Sequence, residues 1–469
     1  MHEKYIETCE KFFKLEKDLN LFGWKIDGVY IWELLRFSVF NQIMQAEGMY
    51  GQAHSQIKPS LSNKLKQFFS SFYNFIFKNP FFIPKGIILF CGHPRRKLFS
   101  DGKYWDIYCD PIIENIEDKF CILESYYLNG HLKPAKTKKL YYADFLSFID
   151  FTVFRIVHFV KKNKIAFDKK SKEFIHEIKS QFDVHISFED QILKQVIGFR
   201  IKTALYSCLF NFSRPKCILL LVGYCGNEAK VFAAKKAGIP IIEMQHGTIS
   251  SYHVGYNFPE GTTERYFADY FFSFGDFWKD AAHFPIPKKN IIRVGYPYLA
   301  HALEKFKNVP KKQRIVFISQ GTIGAELSKF AVQLRKITPA HIDILYKLHP
   351  GEYDRWKQEY PCLIDSGIQI IDSHSPDLYE LLSSSLWQIG VYSTAIYEGL
   401  AFGCMTYLVD LPGVAYMDKL IASGYAQLVQ QPEDIHLDEK HIDIDVDYFF
   451  AKDWKNNFSN ALDTVLEAK

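Results

Sequence analysis

Residues 386–403 read LWQIGVYSTAIYEGLAFG, and the fold follows from how this stretch is read. The largely apolar run 386–391 predicts a buried strand. Tyr392-Ser393-Thr394 predicts a turn into a helix start, and 395–402 the helix itself. A strand feeding a helix through so short a turn is the unit of a parallel sheet. The same unit recurs on both sides. RIVFIS (314–319) predicts a strand ending in Gln320-Gly321-Thr322, with a helix over 325–336. IDILYKLHP (342–350) predicts a strand with His349-Pro350 at its carboxyl end, followed by GIQIID (367–372) and a helix over 377–384. CMTYLVD (404–410) closes this visible sheet.

Further back, GIILFC (86–91), CILLLVG (217–223) and IPIIEMQ (239–245) predict a second set of buried strands. The last of these runs into His246-Gly247. Residues 1–50 and 140–210 read as helical. The expected class is therefore α/β, with two Rossmann-like doubly wound domains facing a cleft and an N-terminal helical extension. The boundaries expected are a helical region over 1–84, a first Rossmann-like domain over 85–305 and a second over 306–469. A Pro- and Lys-rich connection falls near 300–312.

Composition narrows the function. Among 469 residues, 57 Lys plus Arg face 53 Asp plus Glu, a net +4 too small for a protein whose main partner is nucleic acid. Aromatic residues make up 16%, enough for large cores and ring-lined clefts. The nine cysteines contain no C-x-x-C pair, which fits reduced thiols in a cytosolic chain better than disulfides or zinc. The N-terminus lacks the apolar core of a signal peptide. No stretch approaches the roughly 20 apolar residues of a spanning helix. The longest, 145–160, is interrupted by Asp150, Arg155 and His158. Residues 57–100 carry eight Lys or Arg and no acid. Within them, 61–83 mixes Phe and Lys as an in-plane amphipathic helix at an anionic membrane surface does, or as a core-facing helix with a solvated basic face does.

In doubly wound sheets ligands bind beyond the carboxyl ends of the strands. The polar residues expected there define a candidate site. Gln320, Gly321 and Thr322 form a loop ahead of a helix, an anion site by its free N–H groups or an ordinary cap. Ser393 and Thr394 begin the next helix, with Glu398 one turn on along the same face. Hydroxyls and N–H groups there suit phosphate and the carboxylate suits ribose hydroxyls; a capping box is the plainer alternative. His349 can donate to a phosphate or a leaving oxygen, with Lys347 two residues back on the same strand face. His246 is a candidate general base, and Asp101, in a loop with Asp106 and Asp110, is its rival. Arg95 and Arg96 in that loop suit an acceptor. No metal motif, P-loop or nucleophile elbow is present, so neither a metal nor a bound cofactor is expected.

QHG (245–247), VGYP (294–297), KLHP (347–350) and YSTAIYEGLAFG (392–403), in this order, resemble bacterial GT-B glycosyltransferases of capsule, lipopolysaccharide and teichoic-acid synthesis. The resemblance is to the polysialyltransferase and Kdo-transferase type and to the CDP-glycerol glycerophosphotransferase type. It implies that His349, Ser393 and Thr394 contact the donor phosphate, that Glu398 binds ribose and that His246 is the base. The acidic-acidic-Gly motif of sialyltransferases is matched only by Ser100-Asp101-Gly102, one acid short. The expectation is a cytoplasmic transferase at the inner membrane surface, held there through 61–83. It would move a sugar from a CMP- or CDP-linked donor to a surface glycan or lipid-linked acceptor. The alternatives are an enzyme like the UDP-sugar 2-epimerases and a non-catalytic scaffold of a polysaccharide assembly complex.

Overall fold

Among the described residues, thirteen strands form two parallel sheets, one of seven and one of six strands. The computed structural model describes residues 2–49, 71–126, 130–161, 168–182, 184, 188–438 and 444–468. Residues 61–70 of the segment 61–83 expected at a membrane lie outside the described residues.

The first sheet contains β1 (Ile88–Cys91), β2 (Phe120–Glu124), β3 (Leu140–Tyr142), β4 (Cys217–Leu221), β5 (Ile241–Met244), β6 (Tyr270–Ser273) and β7 (Ile291–Arg293). Their order is β7-β6-β5-β4-β1-β2-β3. The second contains β8 (Lys312–Ile318), β9 (Asp343–Lys347), β10 (Gln369–Ile371), β11 (Ser385–Gly390), β12 (Met405–Val409) and β13 (Gln427–Val429), in the order β10-β9-β8-β11-β12-β13. β1 and β4 are buried along their whole length, as expected where helices cover both faces of a parallel sheet. In each sheet the strand order reverses once, between β1 and β4 and between β8 and β11. Ligand crevices of this fold open at such reversals.

The two lobes and the N-terminal helices make the GT-B-like architecture expected from the sequence, with several additions. The second sheet does not close at β12: the short strand β13 pairs beyond it. β3 opens the stretch read as wholly helical, and β2, β6 and β7 give no apolar run long enough to stand out. The terminal helix Trp454–Glu467 returns to the first sheet, where Phe458, Leu462 and Val465 join the core of Phe90, Ile122 and Phe272. The chain beyond 306 is thus divided between the lobes. The N-terminal helices His2–Asp18 and Ile31–Ala46 form the helical region expected ahead of the lobes. Their Tyr5, Phe12, Trp32 and Phe40 share one core with Phe174 and Phe188.

A buried charge network anchors the loop after β1. The Arg96 guanidinium is enclosed, with Nε 2.6 Å from Glu124 and Nη1 3.4 Å from Asp110. The Arg96 side chain, expected to face an acceptor, is instead turned into the lobe between these two carboxylates, with Nη2 buried and without a hydrogen-bond partner. Asp106 and Asp110, grouped with Asp101 as possible bases, are structural too. Asp106 accepts the amides of His93, Tyr108 and Cys109, and Asp110 accepts that of Asp106. His131 bridges the same network, 2.8 Å from Glu124 and 2.9 Å from Asp144. Burial opposes its protonation, but the two carboxylates outweigh it and its pKa is raised. Its contribution to stability is therefore complete below the unfolded value of about 6.5 and is lost as pH rises through the folded value. His131→Gln is expected to cost roughly 2 kcal/mol at pH 6. The gap to wild type should narrow at alkaline pH, read as urea midpoints at both pH values.

Candidate active site in the interlobe cleft

The reversal in the second sheet brings the carboxyl ends of β9, β8 and β11 side by side, and three loops leave from there. The loop after β8 carries Gln320. Its side chain forms a two-way bridge to the loop after β11: Nε2 donates to the Tyr392 carbonyl, and Oε1 accepts the Tyr392 amide, both at 3.3 Å. Thr322 adds a short hydroxyl contact to the Tyr392 phenol. Gln320 and Thr322 thus fix the approach to the helix Thr394–Ala401. Ser393 caps that helix, accepting the Ala395 amide at 3.2 Å. The capping alternative for Ser393 is therefore realised, and the Ile396 amide is bonded to the Ser393 carbonyl at 3.0 Å, so the positive end of the helix dipole is what this turn offers an anion.

The loop after β9 carries His349, and Glu352 holds it. This carboxylate is fully buried and accepts three donors: the His349 amide at 2.6 Å, Tyr360 Oη at 2.6 Å and Ser319 Oγ at 2.9 Å. Pro350 starts the turn, and His349 Nδ1 accepts the Gly351 amide at 3.1 Å. That hydrogen bond assigns the ring proton to Nε2, which is free to donate into the cleft. Surrounding protein, then the charges of Arg95 and Arg355, lower the His349 pKa to about 4. At neutral pH the ring is a neutral donor. Arg355 also reaches the β8 loop, since a Cβ on Gly321 would lie 2.8 Å from its Nη2. Arg95 stands exposed on the first lobe, and with Lys97, Lys347 and His374 it makes this side of the cleft basic. Lys347 itself is buried, donates to the Ser373 carbonyl and to Tyr353, and has its pKa lowered by burial to about 8.

The first lobe meets this helix start directly. Thr248 and Thr394 hydroxyls lie 3.2 Å apart, and a Cβ on Gly247 would lie 3.5 Å from Thr394 Oγ1. Next to them is His246, whose carbonyl accepts Tyr108 Oη at 2.8 Å. Tyr256 Oη lies 2.7 Å from Glu243 Oε1 and 3.2 Å from His246 Nδ1. With its own proton directed to the nearer carboxylate, Tyr256 accepts from His246 Nδ1–H and leaves Nε2 with a lone pair. Burial, then the neighbouring His253 and His93, lower the His246 pKa to about 3, so it too is neutral. Burial pushes Glu243 up to about 7. The two histidines are complementary: His349 offers Nε2–H and His246 an open Nε2.

Glu398 is buried among aromatic residues of both lobes, near Tyr108, Tyr296, Tyr298 and Tyr379. Burial raises its pKa to about 7, against the pull of Tyr379 and Lys97. Lys97 closes the lobes here through an ion pair with Asp377 and a 2.8 Å bond to Tyr298 Oη. Asp101 is placed elsewhere. It caps its own hairpin, accepting the Lys103 amide at 3.0 Å and the Trp105 indole at 3.2 Å. It lines a cavity of about 1010 Å³ with Phe99, Trp105, Tyr298 and His301, and none of His246, His349, Ser393 or Thr394 lines that cavity. Among the described residues no cluster of three or more His, Cys, Asp or Glu is arranged to hold a metal.

Glu352, Tyr256, Glu243, Tyr108 and Arg355 escaped the sequence reading. Only Glu352 carried a local signal, its position three residues after His349 across a proline, the spacing of a capping box.

No family model and no curated protein matches the chain. Solved structures do. A UDP-GlcNAc 2-epimerase from Neisseria meningitidis, bound to UDP-GlcNAc, is 13% identical with a TM-score of 0.46, over 81% of this chain and 100% of that one. The UDP-GlcNAc 2-epimerase from Methanocaldococcus jannaschii is 12% identical with a TM-score of 0.45, over 80% and 99%. A wall teichoic acid polymerase, TagF, is 12% identical with a TM-score of 0.41, over 87% and 98%.

Proposed function

We propose that the chain binds a nucleotide-linked sugar at the reversal of the second sheet and breaks the bond between sugar and phosphate there. The observation that carries this reading is the side-by-side placement of the His349 turn, the Gln320 bridge and the Ser393–Thr394 helix start under the charges of Arg95 and Arg355. A neutral histidine donor, the positive end of a helix and two guanidiniums suit the charge that develops on a departing phosphate. Glu398 would hold the ribose, and Gly321 and Thr322 would line the phosphate loop.

The reaction we favour is glycosyl transfer. The bond from the sugar's anomeric carbon to phosphate oxygen breaks, and the nucleotide leaves with the electron pair, stabilised by His349 Nε2–H. An acceptor hydroxyl forms the new bond and gives its proton to His246 Nε2. His246 is preferred to Asp101 as base because it adjoins Thr394 through Gly247 and Thr248. A CMP- or CDP-linked donor and a surface-glycan or lipid-linked acceptor on the cytoplasmic side of the membrane complete the proposal, with Arg95 facing the acceptor. A second reading, epimerisation of the donor sugar alone, draws on Glu243. A carboxyl that titrates near neutrality behind His246 suits removal and return of a carbon-bound proton.

A thermal-shift panel of CMP, CDP, UDP and GDP tests the common part: one of them should raise the melting temperature. Incubation with the matching nucleotide-sugar then separates the readings. A transferase leaves the sugar's configuration unchanged without acceptor, whereas an epimerase inverts a carbon. Glu398 gives a further check. An ionised carboxylate accepts ribose hydroxyls better than a neutral one, so affinity should rise roughly fivefold from pH 6 to pH 8 as the group near 7 loses its proton. Glu398→Gln should abolish that rise in a calorimetric titration.

A further inference from the structure

The helix Asp144–Lys161 is apolar on both sides. Inward it presents Phe145 and Leu146 to the first lobe. Outward, at the i, i+3, i+4 spacing of a single face, come Phe148, Phe151, Arg155, Ile156 and Phe159. Phe159 is 85% exposed, and the others of that face are also exposed. A surface helix of a water-soluble lobe ordinarily puts its polar residues there. Residues 71–77, also helical, lie alongside, joined through Phe75, whose ring is 4.7 Å from Phe145 and 6.2 Å from Phe148. They too expose Phe72, Tyr73, Ile76 and Phe77. Phe81 continues the contact to the exposed Phe212, 6.1 Å away. The result is one aromatic face spread over two neighbouring helices.

Cations surround these rings. Arg155 lies 4.8 Å from the Phe151 ring, Lys85 5.8 Å from Phe212 and Lys78 5.9 Å from Tyr141. Few carboxylates offset them among the described residues. Residues 57–100 contain none, Asp144 is buried against His131, Asp150 is half-buried, and Asp190, beside His158 of this helix, is paired with Lys194. From the outward aromatic stripe and its basic rim we infer that this face docks in the plane of an anionic lipid bilayer, rings in the acyl boundary and Lys and Arg at the headgroups. A second copy of the chain fits poorly, because a two-fold contact would bring Arg155, Lys78 and Lys85 of both copies onto one face whose nearest exposed carboxylate, Asp190, is already paired with Lys194. The face lies on the first lobe, and the inference is independent of the nucleotide reading. It also moves the expected membrane contact from 61–83 alone to a surface dominated by 144–161.

Vesicle flotation of the full chain tests it, with phosphatidylcholine alone and with added phosphatidylglycerol. Wild type should float with the anionic vesicles. The variant Phe148→Ser/Phe151→Ser/Phe159→Ser should lose about tenfold or more in vesicle affinity. Its melting temperature and its response to nucleotide should stay those of wild type, because the changed side chains are exposed. Lys85→Glu/Arg155→Glu should abolish the preference for anionic over neutral vesicles. Absence of wild-type flotation would overturn the inference, as would unchanged partitioning of the triple-serine variant. So would a lipid-free dimer that the triple-serine variant dissolves.

Discussion

Replacing His349 by alanine is expected to lower turnover of the nucleotide-sugar by about 10²–10³-fold and to leave nucleotide affinity within a few-fold of wild type. The reason lies in where the ring proton is held. The Gly351 amide occupies Nδ1, so the imidazole can act only through Nε2–H. A donor so fixed gains most when charge builds on the leaving oxygen, which is a transition-state interaction more than a ground-state one. Little stability is at stake, since the side chain stands at the mouth of the cleft and makes one hydrogen bond to backbone. The measurement is single-turnover donor consumption beside a thermal melt. A variant that melts normally and turns over like wild type would remove His349 from the chemistry. Unaltered glycan production in cells carrying it would favour the scaffold reading.

The second large effect is expected at Glu352. Alanine there removes one buried acceptor from three donors: the His349 amide, the Tyr360 hydroxyl and the Ser319 hydroxyl. Ser319 and Tyr346 hydroxyls, 3.3 Å apart, can recover part of the loss, but the His349 amide has no second partner. Each buried donor left unmade costs about 1–3 kcal/mol, so the variant should lose roughly 3–5 kcal/mol in urea unfolding. Freeing the His349 amide also releases the turn that aims Nε2. Among molecules still folded, nucleotide affinity and turnover should therefore fall together, unlike in His349→Ala. A stability change below about 1 kcal/mol would mean that the three hydrogen bonds are not the anchor they form in the structure.

Most of the sheet architecture was legible because buried parallel strands are written as continuous apolar runs. β1, β4, β8, β9, β11 and β12 all read this way. β10 was legible in GIQIID, whereas β7 and β13 were invisible because three-residue strands at or near a sheet edge bury too little to need such a run. Helix-rich context hid β3. At the site, residues at strand ends could be picked from sequence because turn chemistry marks them: His-Pro, Gln-Gly-Thr and Ser-Thr. Their partners could not. Tyr256 and Glu243 meet His246 only through folding, and Arg95 and Arg355 reach His349 from different lobes. Arg96 shows the converse: next to Arg95 in a loop, it turns inward because Glu124 on β2 and Asp110 lie behind it. Adjacent cations of the same kind thus have opposite fates, decided by the strand packed beneath them.

The central claim is that one phosphoryl group lies between His349 and the helix that begins at Ser393–Thr394. A crystal structure with a bound nucleoside diphosphate tests it most directly. Phosphate oxygens should lie within hydrogen-bond distance of His349 Nε2 and of the backbone amides at the start of Thr394–Ala401, with the ribose against Glu398. A nucleotide seated in the large cavity beside Asp101, or one whose phosphates leave His349 uncontacted, would contradict it.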